Sequence, residues 1–154
     1  MIGGTILKEL QIVGFMLGDE EYGVDILSVT EILKLTKITR VPKSSEFVKG
    51  VINLRGNVIP ILNIRKKFKN EEAPDDDNTR IIIITVDENK FGIIVDKVTE
   101  VIRIRESDVE EPNLIDSVEK KYVDGVGKYN GRLLILLKLD QILTIVDQED
   151  IKLD

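Results

Sequence analysis

The sequence predicts a mostly β protein, a pair of small barrels produced by internal duplication. Three observations carry that expectation. Tyr22-Gly23-Val24 through Ile32-Leu33 returns as Phe91-Gly92-Ile93 through Val101-Ile102, at a constant offset of 69 residues. GVINLRGNVIPILNI (residues 50–64) returns as GVGKYNGRLLILLKL (residues 125–139) at an offset of 75, so six residues are inserted between the blocks of the second copy. The apolar residues also fall in short Ile-, Val- and Leu-rich runs bounded by turn residues, as strands buried on much of both faces require. Repeats that keep their order imply two similar substructures, and many short strands in two equivalent sets suit paired barrels. The expected division is a single domain over residues 1–154, with repeats at 13–68 and 79–145.

The elements follow in order. Residues 1–12 read as a loose or weakly helical tail. Residues 13–17 form a strand, Gly18-Asp19-Glu20 a turn, and residues 22–26 the return strand. Residues 42–49 are expected as a short helical piece stopped by Gly50, a suitable residue just past a helix end. Residues 58–64 read as a strand, and Asn63 can cap a helical turn running to Phe68. Residues 70–78 are acidic, contain Pro74 and lack large apolar side chains, which marks an exposed linker. Strands are expected at 81–86, 91–95 and 133–139. Asn130-Gly131 is a hairpin turn because both central residues tolerate positive φ, and Arg55-Gly56 occupies the matching place in the first copy. Asp140 can cap a C-terminal helix with Ile142, Ile145 and Val146 on one face.

Composition excludes several classes of function. The chain has 154 residues, 42% of them hydrophobic, enough to bury a core. Its net charge of −6 disfavours a nucleic-acid partner, which requires a basic surface. No apolar run is long enough for membrane insertion, and the first residues carry no signal-peptide pattern. Cys and His are both absent, which removes disulfides, thiolate chemistry, His-based triads and most zinc sites. No glycine-rich phosphate loop is found. Asp75-Asp76-Asp77 lacks the spaced ligands of a calcium loop. The expectation is therefore no catalytic residue, no metal and no cofactor. Glu31 and Glu100 are repeat-equivalent and read as exposed strand-edge residues rather than an acid/base pair.

The differences between the copies mark what the fold does not require. Arg55 stands against Asn130, Asn57 against Arg132, and Pro60 against Ile135. The first copy thus has a cation at its loop and a proline within its strand. Proline cannot donate to a β ladder, so that strand is expected at a sheet edge, where it would form a docking surface beside a positive loop.

EEYGVDILSVTEIL, RVPKSSEFVKGVINLRGNVIPILNIRKKF, FGIIVDKVTEVI and YNGRLLILLKLDQIL together resemble the CheW family of bacterial chemotaxis coupling proteins. The resemblance spans about residues 15–143. It implies two intertwined SH3-like five-stranded β-barrels that exchange strands, with short helices and a C-terminal helix. It implies a non-enzymatic adaptor, cytoplasmic and recruited to receptor arrays. The implied partners are the histidine kinase CheA, through its regulatory domain, and the cytoplasmic tips of methyl-accepting chemoreceptors. By the same resemblance, a receptor groove between the barrels would use Val29, Glu31, Arg55, Val98 and Val101, and a kinase surface would use Ile38, Val41, Pro42, Lys49 and Gly50. Val98 and Val101 have a second reading, as filling of the inter-barrel core. The alternative function is a small ligand-binding or carboxylate-dependent enzyme domain acting through Glu31, Glu100 and Arg55. A deep polar pocket would favour that alternative, and a shallow apolar groove would favour the adaptor.

Overall fold

Three tight turns with left-handed backbone fold the chain into hairpins: Arg55–Gly56 (φ 52° and 85°), Asp87–Glu88 (48° and 70°) and Asn130–Gly131 (47° and 76°). Positive φ at both central residues matches the twist of the flanking strands. The structure, a computed structural model, describes residues 8–69, 74–112 and 120–148. In chain order the strands are β1 (Glu9–Leu17), β2 (Glu20–Asp25), β3 (Val29–Lys34), β4 (Val48–Leu54), β5 (Asn57–Leu62), β6 (Arg80–Val86), β7 (Asn89–Val95), β8 (Lys97–Arg105), β9 (Val109–Glu110), β10 (Val123–Tyr129) and β11 (Arg132–Leu137). Helix α1 spans Ile64–Lys69 and α2 spans Leu139–Gln148.

Two sheets result, with orders β8-β1-β2-β11-β10-β9 and β3-β6-β7-β5-β4. The orders are the same once each strand is replaced by its repeat counterpart. The missing sixth strand of the second sheet survives as a single bridge, Thr39 to Val51, matching Glu110 to Val126. Strands of both copies enter each sheet: the β1–β2 hairpin joins β8–β11, and the β6–β7 hairpin joins β3–β5. The fold is thus mostly β, with intertwined SH3-like barrels.

Alternation along the strands divides the apolar residues among three cores. Ile12, Ile102, Ile104, Leu134 and Leu136 fill one barrel. Ile52, Ile59, Ile61, Ile81 and Ile83 fill the other. The opposite faces, with Phe15, Tyr22, Ile82, Phe91 and Ile93, meet in the largest core, which Phe68, Tyr122 and the Ile142–Ile145 face of α2 close. Fully burying a side chain of this size contributes about 1.5–3 kcal/mol, so the contact between the sheets is a major part of the fold.

Several expectations are corrected. Residues 9–12 belong to β1, because Leu10 and Ile12 alternate into the β8–β11 barrel. Residues 42–49 form no helix: Lys43 is left-handed at φ 64°, the Ser44 hydroxyl donates to the Val41 carbonyl (2.7 Å), and the Ser45 hydroxyl accepts from the Phe47 amide (3.0 Å). Serines compete with helical bonds in this way. Lys49 and Gly50 lie inside β4 rather than at a helix end.

Pro60 is not on an edge strand, since β5 is flanked by β4 and β7. The parallel β5–β7 pairing involves Ile61 and Leu62, while in the second copy it begins two positions earlier, with Leu134 opposite Glu21 and Ile135, the counterpart of Pro60, opposite Tyr22. Pro60 thus sits where parallel pairing has not begun, which spares it the donor it lacks. Asn63 does cap α1, accepting from the Lys66 amide at 3.1 Å. Asp140 lies within the first turn of α2 rather than before it, and the Lys138 carbonyl takes the capping bonds from Gln141 and Ile142. Residues 74–78 of the expected linker are exposed, and residues 70–73 lie outside the described residues.

Candidate functional site

β3 and β8 are repeat-equivalent and each lies at one edge of its sheet. Alternation gives each one face toward a barrel core and one toward the seam between the sheets. Val29 and Val98, half-buried, both pack against the inter-sheet core. Farther along, Ile32 and Val101 are also repeat-equivalent and lie 41% and 52% exposed. Val98 is thus partly core, whereas Val101 presents its side chain to solvent. Val58 and Leu133, a third equivalent pair, are exposed as well. The duplication thus leaves apolar side chains exposed at matched positions of both repeats.

Polar groups border these strands. The Arg55 guanidinium, left 70% exposed by its hairpin turn, is paired with the Glu31 carboxylate on β3. Thr30 Oγ1 and Thr85 Oγ1 share a hydrogen bond beside it. In the second copy the arginine has moved two positions along the hairpin, to Arg132, and bonds Glu100, the counterpart of Glu31. Arg132 also holds Glu21. Burial raises the Glu21 pKa, but hydrogen bonds from Arg132 and Thr99 and the guanidinium charge outweigh it, leaving the carboxyl below its ordinary value. The same bonds with Glu21 and Glu100 push the Arg132 pKa up.

The structure brings the five expected receptor residues to two neighbourhoods: Val29, Val98 and Val101 on the seam strands, and Glu31 with Arg55 at the first hairpin. The residues expected to meet the kinase are less uniform. Ile38 packs against the first barrel's core and Val41 is half-buried. Pro42 and Lys49 are exposed, and Gly50 is buried. A Cβ at Gly50 would stand 2.3 Å from the Thr39 carbonyl oxygen, so this glycine admits the crossing segment. Gly125 does the same beneath Glu110, where a Cβ would be 2.8 Å from the carbonyl oxygen. The Thr39 segment therefore has a counterpart in the second copy.

Sequence reasoning missed Glu21 and Thr99, and noted Arg132 only as a difference between copies. The readable signal was a second difference: Glu21 stands opposite Lys90 at the offset of 69 residues.

Glu31 and Glu100 are each tied to an arginine on a different hairpin, so they do not form a carboxylate pair. Two open concavities, of about 440 and 410 Å³, are lined by Lys8–Gln11 with Asp25–Leu27 and by Lys34, Leu35, Asp76, Asp77, Thr79 and Arg80. Neither includes Glu31, Arg55 or Glu100.

Duplicated barrels with exposed apolar edge strands and surface ion pairs present the kind of surface a protein-binding scaffold uses. The chain belongs to the CheW-like domain family, whose model it matches over residues 11–147. It is 38% identical over 134 residues to the chemotaxis protein CheW of Helicobacter pylori, covering 87% of this chain and 81% of that one. It is 34% identical over 141 residues to CheW of Thermotoga maritima, covering 89% of each. The crystal structure of the scaffolding protein TtCheW from Thermoanaerobacter tengcongensis superposes with a TM-score of 0.81 at 37% identity, covering 88% of each chain. Proteins of this family are non-catalytic scaffolds, and this chain is a chemotaxis scaffold of that kind.

Proposed function

We propose that this chain couples chemoreceptors to the histidine kinase CheA, holding a receptor's cytoplasmic tip on one surface and the kinase's regulatory domain on another. The reading rests on one observation above others: the exposed, repeat-equivalent Ile32 and Val101 on the two seam strands, next to half-buried Val29 and Val98. A helical hairpin presents an apolar stripe, and an apolar seam with charged borders suits helix-in-groove docking. In this reading Glu31 and Arg55 border the receptor contact. The kinase contact falls on the outer side of the first repeat (residues 13–68), around Val41, Pro42 and Lys49. The protein works in the cytoplasm at membrane-associated receptor arrays, where many modest contacts reinforce one another.

The test mixes purified protein with a receptor-tip fragment and a CheA regulatory domain and follows sedimentation. A ternary complex is the expected result. Mutually exclusive binding, or binding of neither partner, would overturn the proposal.

A further inference from the structure

One end of the second barrel holds a polar network that the first barrel lacks. Arg132 donates from Nε to Glu21 Oε1 at 3.0 Å and from Nη2 to Glu21 Oε2 at 2.8 Å, a bidentate pair. Its Nη1 donates to Glu100 Oε2 at 3.3 Å, and Thr99 Oγ1 donates to Glu21 Oε2 at 2.8 Å. These bonds tie β2, β8 and β11 together, although β1 runs between β2 and β8. They pass over Gly14 of β1, where a Cβ would stand 2.5 Å from Thr99 Oγ1 and 3.1 Å from Glu21 Oε2. Any larger residue there would close the gap through which Glu21 and Thr99 meet.

At the equivalent places the first barrel has Ile83 for Gly14, Lys90 for Glu21 and Asn57 for Arg132. Ile83 is fully buried in that barrel's core, so hydrocarbon fills the space the network occupies in the second. β3 is left with the Thr30–Thr85 bond and the Glu31–Arg55 pair.

These two ion pairs differ in strength for physical reasons. The Glu21 side chain is only 9% exposed, so solvent and salt screen its pairing poorly. A planar guanidinium held bidentately loses little further freedom for each bond formed. Arg55 is mostly in water, where a single pair contributes about 0–1 kcal/mol. The geometry points to Arg132, Glu21 and Thr99 as positioning residues that make β8 a fixed wall of the seam, while its counterpart β3 remains the compliant wall. The inference rests on the seam being the receptor contact. A strand already held in place does not have to be ordered when the partner arrives, so the clasp sets affinity without touching the receptor.

The experiment measures amide hydrogen exchange along β8 in the free protein, and affinities for a receptor-tip fragment and for a CheA regulatory domain. Arg132→Ala is expected to speed β8 exchange about tenfold or more, from the loss of hydrogen bonds to a charged group. It should weaken tip binding to a similar degree and leave kinase-domain affinity unchanged. Arg132→Lys should fall between, since an ammonium cannot bond bidentately. Thr99→Val keeps volume and removes one bond on the β8 side, so it decides the matter if Arg132→Ala does not fold. Folded variants with unchanged β8 exchange, or with faster exchange and unchanged tip affinity, would overturn the inference. If the unaltered protein does not bind the tip, the coupling proposal fails, whereas β8 exchange in the variants still reads the clasp itself.

Discussion

Arg55 adopts left-handed backbone at φ 52° and is 70% exposed, and its charge is paired with Glu31. Surface pairs of this kind contribute little to stability, so its removal should act on binding. Arg55→Ala is expected to shift unfolding free energy by no more than about 0.5 kcal/mol while weakening receptor-tip affinity in titration. Large destabilisation with intact binding would make the residue structural. Glu21 behaves oppositely, since its carboxylate is nearly enclosed. Its folded pKa lies below the usual 4.5. A carboxyl depressed in this way adds stability that is fully present above its unfolded pKa and lost as pH falls through the folded one. The parent protein should therefore be more stable than Glu21→Gln at about pH 6, and the gap should close toward about pH 3. Urea melts at both pH values check this; a constant gap would contradict it.

Hairpins were the most legible elements. The Asn130–Gly131 and Arg55–Gly56 turns follow from two residues each, whereas Asp87–Glu88 adopts the same positive φ without a glycine or asparagine to announce it. Residues 42–49 failed as a helix for a local reason, the serine bonds to backbone, and for a non-local one: the preceding segment must cross β4, forming the Thr39–Val51 bridge. Gly50 is the point of crossing. Gly50→Ala would drive a methyl into the Thr39 carbonyl oxygen, 2.3 Å from the built Cβ, and backbone cannot yield as a side-chain tip can. A loss of about 2 kcal/mol or more is expected, read as a lower urea midpoint at unchanged slope. Near-wild-type stability would show that the crossing can move.

Across the whole molecule, the proposed coupling of two partners requires two surfaces. Val98 packs against the inter-sheet core, so a charge there would test folding as much as binding. Val101, 52% exposed, is the cleaner probe of the seam. Val101→Glu should reduce receptor-tip affinity about tenfold or more, as loss of an apolar anchor does, and spare the kinase domain. Val41→Glu should do the reverse. Both are measured by titration, with circular dichroism as the folding control. If each substitution weakens both partners equally in a folded protein, the surfaces are not separate.

The sequence by itself determined the duplication, the predominance of β structure and the lack of residues for thiolate, histidine or phosphate-loop chemistry, because periodicity, turn residues and composition are local properties. The seam strands could be located because equivalent residues in a repeat occupy equivalent places. Tertiary structure alone decided that β5 is an interior strand, that Gly50 is a crossing point and that Val98 is half core. Tertiary structure alone also brought Glu21, Thr99 and Arg132 together, since their bonds close across an intervening strand through the space left by Gly14. The nearest pair of these residues in sequence, Thr99 and Arg132, is separated by more than thirty positions, and no local pattern connects them.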